Sequence, residues 1–267
     1  MRAAASLATR QGRRRQGRFL VEGPRAVRDL LRAAADGAPY RVRALYATAE
    51  VLARDPDLTR LAPPSVVREA SAAVVGAISD AATPQGVVAV VDVPPRRGAA
   101  GVGLGPVTAG AVLVEVQDPG NVGTVVRAAD AAGASVVALT PGCADPYAPK
   151  TVRSTAGSLF HLPVVPDVDL DELVRAARSA GVRLLATDAG GDTDLDETAA
   201  AAAAGAGPLA GPHLWLLGNE GRGLATDALA AADDVVRIPI RGRAESLNLA
   251  MAATLVLFAT ARSRASR

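Results

Sequence analysis

The sequence predicts an α/β protein built around a mostly parallel sheet, and three observations carry that prediction. Short apolar, β-branched runs alternate with helical patterns along most of the 267 residues. Hydrophobic residues make up 49% of the chain, yet they include only three Phe, three Tyr and one Trp, so the core must be assembled from Ala, Val and Leu. That composition suits βα units better than an aromatic-rich sandwich. The strands of the second half read as continuous apolar runs between helices, as expected when helices cover both faces of a parallel sheet.

Taken in order, residues 19–21 predict a strand before a helix over 24–35. Residues 42–46 predict a second strand, again before a helix, followed by short strands at 66–67 and 87–93. These closely spaced elements predict a small α/β domain over residues 1–97. Pro94, Pro95, Gly98, Gly101, Gly103, Gly105 and Pro106 break helix and strand alike and mark 98–109 as a linker. The second domain, 110–267, is predicted to begin with a strand at 111–116 and a helix at 123–132. It continues with strand 135–139, helix 151–160, a short strand at 163–165, helix 170–180 and strand 183–187. The alanines of 199–204, followed by Gly205, Gly207, Pro208, Gly211 and Pro212, read as a mobile or variable loop. Strand 214–217, helix 224–231, strand 235–240 and a final helix from Ser246 complete the pattern.

The formal charge is only +2, but the basic side is almost entirely arginine, with Lys150 the one lysine. Residues 1–20 contain Arg2, Arg10, Arg13, Arg14, Arg15 and Arg18 and no acidic residue. That arm reads either as a patch for a phosphate backbone or as a solvated tail. A single cysteine, Cys143, excludes an intramolecular disulfide framework, and two histidines far apart in sequence predict no metal site. No apolar core follows the basic start as a secretory signal requires, and the most apolar stretch, 247–260, is too short to span a bilayer and carries Asn248. A cytoplasmic protein without membrane contact is expected.

Three motifs carry chemistry. The first runs from Val114 to Ala134, where Asp118-Pro119-Gly120 is a turn, Asn121 a possible N-cap, and Arg127 a residue of the first or second turn of the helix that follows. A helix N-terminus at the carboxyl end of a parallel strand is where ligands bind in such sheets. The second, Leu216 to Leu224, places Gly218, Gly221 and Gly223 around Asn219 and Glu220, so that backbone can approach a ligand closely. In the third, Ile238 to Ala252, a strand ends in a polar loop and Ser246 and Asn248 enter an apolar helix at its start, where polar residues often only cap.

In this order and spacing, the three motifs resemble those of the SpoU (TrmH) branch of the SPOUT RNA methyltransferases: N-x-G-x-x-x-R, then G-N-E-x-x-G, then I-P-x-x-G with S-L-N. The resemblance spans about residues 111–260. The segments Phe19-Leu20-Val21-Glu22-Gly23 and Thr83-Pro84-Gln85-Gly86-Val87 resemble the substrate-binding domain that precedes the catalytic domain in many members, similar in fold to ribosomal protein L30e.

The resemblance implies an α/β-knot fold, a deep trefoil knot in the catalytic domain, and an S-adenosylmethionine-dependent RNA ribose 2′-O-methyltransferase working as a homodimer. It implies that Leu217, Gly218, Asn219, Gly223, Ile238, Pro239, Leu247, Asn248 and Ala250 hold the cofactor. It implies that Asn121, Arg127, Glu220, Ser246 and Asn248 face the RNA as catalytic residues. Ribosomal RNA, 23S in particular, is favoured over tRNA by the two-domain architecture. Arg127 is the family's candidate for activating the hydroxyl, but a guanidinium does not readily lose a proton. A phosphate grip and stabilisation of the developing oxyanion suit it better, and the base is left open. Two other readings stand beside this one. An NAD-dependent α/β enzyme would need G-x-G-x-x-G after an early strand, which is missing where required. A non-catalytic RNA-binding assembly factor would need only the arm and the first domain, and the intact Arg127 and Asn248 argue against it.

Overall fold

The computed structural model describes residues 2–105 and 108–265; Pro106 of the expected linker lies outside the described residues. The chain forms two compact units, Met1–Pro95 with Asp145–His161, and Arg96–Ala144 with Leu162–Arg267. The first unit therefore takes in a stretch that the sequence places in the second domain.

The first unit contains α1 (Arg2–Ala5), α2 (Arg10–Gln16), β1 (Arg18–Glu22), α3 (Pro24–Ala35), β2 (Val42–Ala47), α4 (Ala49–Arg54), α5 (Asp57–Leu61), β3 (Val67–Glu69), α6 (Ala72–Ile78) and β4 (Val87–Asp92). Its sheet runs β1-β4-β2-β3, with β1 and β2 antiparallel to β4. Gly23, at φ 88°, makes the turn from β1 and Pro24 occupies the first helical position, where its missing N–H costs nothing. The helix then buries Ala26, Val27, Leu30 and Leu31 on one stripe.

The basic arm is part of this unit. Leu7, fully buried, and Ala4 pack with Leu20, Val75, Ile78 and Val88. Arg13 is only 6% exposed; its guanidinium reaches the Asp145 carboxylate at 2.7–2.8 Å and donates to the carbonyls of Leu7 and Ala8. Arg18 pairs with Asp92 from within β1. Of the six arginines that could have met phosphates, Arg13 and Arg18 are thus taken by carboxylates, because burying an arginine requires a partner, and Arg10, Arg14 and Arg15 are exposed; the side chain of Arg2 lies outside what is described.

The second unit contains β5 (Ala109–Leu113), α7 (Pro119–Ala131) and β6 (Val136–Leu139); α8 (Pro149–Thr155) belongs to the first. It continues with β7 (Val164–Val165), α9 (Leu170–Ala180), β8 (Arg183–Thr187), β9 (Thr193–Asp194), α10 (Leu195–Ala203), β10 (His213–Leu217), α11 (Thr226–Ala231), β11 (Asp234–Arg237) and α12 (Leu249–Ala265). The seven strands run β7-β6-β5-β10-β8-β11-β9, and every pairing is parallel. This is the α/β class that the apolar runs predict. The core on one face joins Val112, Val136, Leu184 and Leu216 of the strands to Leu173, Val174 and Ala177 of α9.

Four local expectations are corrected. The alanine-rich 199–204 stretch is largely helical: Asp194 caps α10 by accepting from the Asp196 amide, and Leu195, Thr198 and Ala202 are buried. Alanine is the best helix former, so its low complexity here is helix and not loop. The helix expected over 151–160 stops at Thr155, because Ala156 and Gly157 take φ of 50° and 104°, and a single 3-10 turn, Ser158–Phe160, follows. The linker contains a 3-10 turn, Gly98–Val102, that buries Ala99 and Val102 in the core. The final helix begins at Leu249 and not at Ser246.

Strand β10 is tied to α12 by buried polar groups. Trp215 Nε1 donates to Thr260 Oγ1 at 3.0 Å, and His213 lies 3.0 Å from the same oxygen through Nε2 and 2.9 Å from the Gly211 carbonyl through Nδ1. A carbonyl only accepts, so Nδ1 carries the proton; the Thr260 hydroxyl, already accepting from Trp215, then donates to Nε2. Burial pushes the His213 pKa down to about 4, the Gly211 carbonyl opposing and Arg264 adding to the shift.

Candidate active site at the strand ends

The three motifs meet at the carboxyl edge of the parallel sheet. After β5 the chain stays beside β10 through Val114, whose amide donates to the Leu217 carbonyl at 2.9 Å, and then turns at Glu115 with φ 53°. The N-cap of α7 is Asp118, which accepts the Asn121 amide at 2.9 Å, with Pro119 at the first helical position. The sequence reading gave that role to Asn121; the Asp-Pro pair was the signal for the earlier start. Arg127 accordingly sits on the third turn, about 9 Å along the axis from Asn121. It is exposed and pairs with no described residue.

The second motif folds back on itself. The Asn219 and Gly223 backbones exchange hydrogen bonds of 3.0 and 2.9 Å, and Asn219 Oδ1 accepts from the amides of Gly221 and Arg222. Asn219 Nδ2 donates to the Glu115 carbonyl at 2.9 Å, and Arg222 pairs with the Glu115 carboxylate at 2.9 Å. A Cβ on Gly218 would lie against the backbone of Gly223 and Leu224, so glycine there first serves the fold of the loop itself. The carboxamide of Asn219 and the backbone of Gly223, expected to hold a cofactor, are committed to shaping this turn.

Glu220 reaches across to the first motif. Its carboxylate accepts the amides of Gln117 and Asp118 at 3.3 and 3.2 Å and the Asn121 side-chain amide at 3.0 Å. Partial burial pushes the Glu220 carboxyl up, but these hydrogen bonds, Asn121 foremost, outweigh it and hold the pKa below the ordinary carboxylate value. Asn121 Oδ1 in turn accepts from Asn248 Nδ2 at 3.3 Å, while Asn248 Oδ1 caps α12 by accepting from Ala250 and Met251. One hydrogen-bonded chain, Glu220 to Asn121 to Asn248, therefore links all three motifs, and Ser246 stands exposed in the loop leading to α12.

The neighbouring apolar positions suit a nucleoside cofactor. Leu217, Gly218 and Ala250 are buried, and Ile238, Pro239 and Leu247 are half-buried. Residues 238–248 form no helix or strand, so their peptide groups are available beside an apolar lining. That combination, closely approaching backbone plus apolar walls, fits an adenosine better than an ion.

A parallel sheet with three polar motifs joined at its carboxyl edge, one of them presenting an exposed arginine on its helix, fits a group-transfer enzyme of the methyltransferase type. The chain belongs to the SpoU rRNA methylase family, whose profile matches residues 110–258; the profile of the MRM3-like substrate binding domain matches residues 1–89. It is 33% identical to the 23S rRNA (guanosine(2553)-2′-O)-methyltransferase of Bacillus subtilis, over 94% of this chain and 92% of that protein. It is 36% identical to the 23S rRNA (uridine(2479)-2′-O)-methyltransferase of Streptomyces viridochromogenes, over 98% and 88%. The structure is similar to that of the SpoU methyltransferase AviRb from S. viridochromogenes in complex with AdoMet, with a TM-score of 0.83 at 33% identity, covering 99% of this chain and 98% of that one. The chain is an S-adenosylmethionine-dependent RNA 2′-O-methyltransferase. Among the described residues no helix is long and apolar enough to cross a membrane.

Proposed function

We propose that this enzyme methylates a ribose 2′-hydroxyl of 23S ribosomal RNA in the cytoplasm, as a knotted homodimer. The observation that carries the reading is the unpaired Arg127 on the same helix as Asn121, whose side chain joins Glu220 to Asn248. Relatives that span both units of the chain and are named for 23S RNA support that choice of substrate.

In this reading Leu217, Gly218, Ile238, Pro239, Leu247 and Ala250 hold S-adenosylmethionine, with Asn219 and Gly223 keeping the loop in shape. When bound, the cofactor supplies an electrophilic methyl group on a sulfonium. Arg127 grips a phosphate or the developing alkoxide and serves as a cation and not as the base, since a guanidinium does not readily lose a proton. Glu220 positions and does not take the proton: its oxygens already accept three hydrogen bonds. Asn248 and Ser246 complete the polar wall toward the ribose. Residues 1–97 recruit the RNA and 110–267 carry the chemistry.

The dimer is supported by an apolar face on α12, where Met251 and Leu255 are 63% and 44% exposed one turn apart. The knot is supported by the path of the chain after β11, which lies near one edge of the sheet, since the chain returns as α12 to pack on α7 beside the central strands β5 and β10.

The test is to map 2′-O-methyl groups in total RNA from cells with and without the gene, and to assay the protein on unmodified 23S transcript with labelled S-adenosylmethionine. One new methyl group in 23S RNA is expected. A new methyl group in tRNA instead would overturn the substrate, and S-adenosylmethionine binding without transfer to any RNA would overturn the enzyme.

A further inference from the structure

The first unit contains a cleft of about 350 Å³ that the catalytic reading does not use, lined among others by Glu22, Arg25, Ser79, Thr83, Gln85 and Arg153. Its size falls at the lower end of the range for small-ligand sites, about 300–1,000 Å³. The polar groups at its back are already satisfied. The Glu22 carboxylate accepts from the Ser79 hydroxyl at 2.6 Å and the Asp80 amide at 3.1 Å, and faces Arg153 at 3.5 Å, which is also held by Asp80 at 3.0 Å.

What remains is free to meet a ligand. Arg25 is exposed and pairs with no described residue, and the side chains of Thr83 and Gln85 make no hydrogen bond among the described residues. Helix α3 has no side-chain cap, so the amides of Arg25 and Ala26 lack intrahelical partners. Gly23 brings Gln85 close: a Cβ at that position would stand 2.8 Å from Gln85 Oε1. One cation and two amides suit a phosphate; a hydroxyl and a carboxamide beside them suit the edge of a base.

We propose that this cleft holds one unpaired nucleotide of the substrate RNA, with its phosphate on Arg25 and the first turn of α3 and its base edge on Thr83 and Gln85. The inference rests on the RNA-modifying role proposed above and assigns part of its substrate selection to named residues. Sequence-selective proteins read RNA at such splayed nucleotides, because the grooves of the A-form duplex hide base identity.

The test uses the full chain and unmodified 23S transcript. Filter binding and methyl transfer are measured for Arg25→Ala, Gln85→Ala and, as a charge control on α9, Arg175→Ala. Arg25→Ala and Gln85→Ala should each raise Kd and KM for the transcript about tenfold, a loss typical of one good base or phosphate contact. They should leave kcat and S-adenosylmethionine affinity within about twofold, since they lie outside the cofactor loops. Arg25→Ala should also lower the salt slope by about one, and Gln85→Ala should not. Unchanged Kd in both variants, or an equal loss in Arg175→Ala, would overturn the proposal. So would 5′-AMP that saturates the cleft without competing with transcript, which would make the ligand a free nucleotide. Kd is read without turnover: a wild type that binds the transcript and does not methylate it would overturn the substrate reading alone, whereas no binding at all would overturn both.

Discussion

The Glu220 carboxylate receives the Asn121 side-chain amide at 3.0 Å, across a separation of 99 residues in sequence. This contact makes the second motif a clamp on the first, since the same carboxylate also accepts the backbone amides that lead into α7. Replacing Glu220 by Gln keeps the shape but turns one acceptor into a donor aimed at N–H groups. Methyl transfer should fall about tenfold or more, with S-adenosylmethionine affinity within about twofold by calorimetry. The lowered Glu220 pKa means that its contribution is present above the ordinary carboxylate range and is lost as pH falls through the folded-state value.

Arg127 carries the chemistry in the proposed reading without carrying the fold, because it is exposed and pairs with no described residue. Arg127→Ala should lower kcat about 100-fold or more while leaving the melting temperature and cofactor affinity unchanged. Arg127→Lys should recover little, since a point charge does not reproduce the planar fork. A parallel loss of cofactor affinity would move Arg127 to the cofactor side of the site.

Gly218 separates shape from ligand contact. A side chain there meets Gly223 and Leu224 before it meets any cofactor, so Gly218→Val should lower thermal stability as well as S-adenosylmethionine binding. A melting curve identical to wild type, with binding lost, would show that the loop can yield and that the cofactor alone requires the glycine.

His213 gives stability a pH dependence. Its folded pKa of about 4 lies below the unfolded value of 6.5, so the unfolded chain binds the extra proton and stability falls as pH drops from 6.5 toward 4. The slope should approach roughly 1.4 kcal/mol per pH unit in that window and flatten in His213→Asn, measured by urea denaturation. Thr260→Val, which leaves Trp215 and His213 without their shared partner, should cost about 3 kcal/mol.

The arm divides into a structural arginine and free charges. Arg13→Ala leaves Asp145 without its partner and should cost roughly 3 kcal/mol of stability. Arg14→Gln with Arg15→Gln should leave stability unchanged and lower the salt slope of RNA binding by about two. Deleting residues 1–17 would be a poor version of this experiment, because Leu7 belongs to the core.

Local pattern made much of this protein legible. Helix 24–35, helix 170–180 and strand 183–187 are where the periodicity puts them, because apolar spacing reports directly on which face is buried. The motif residues were legible too, through family resemblance, and so was their place at strand ends. Sequence alone could not show that Glu220 faces Asn121 and two backbone amides, that Gly218 is needed by its own loop, that Arg13 docks on a residue 132 positions away, or that Asp145–His161 joins the first unit. Each depends on a partner brought close only by the folded chain, and a hydrogen bond or a steric contact has no signature in the residue type that makes it. Spacing along the sequence determines which residues can form a helix or strand; the tertiary structure decides which of their polar groups are already satisfied and which, like Arg127, remain free to act.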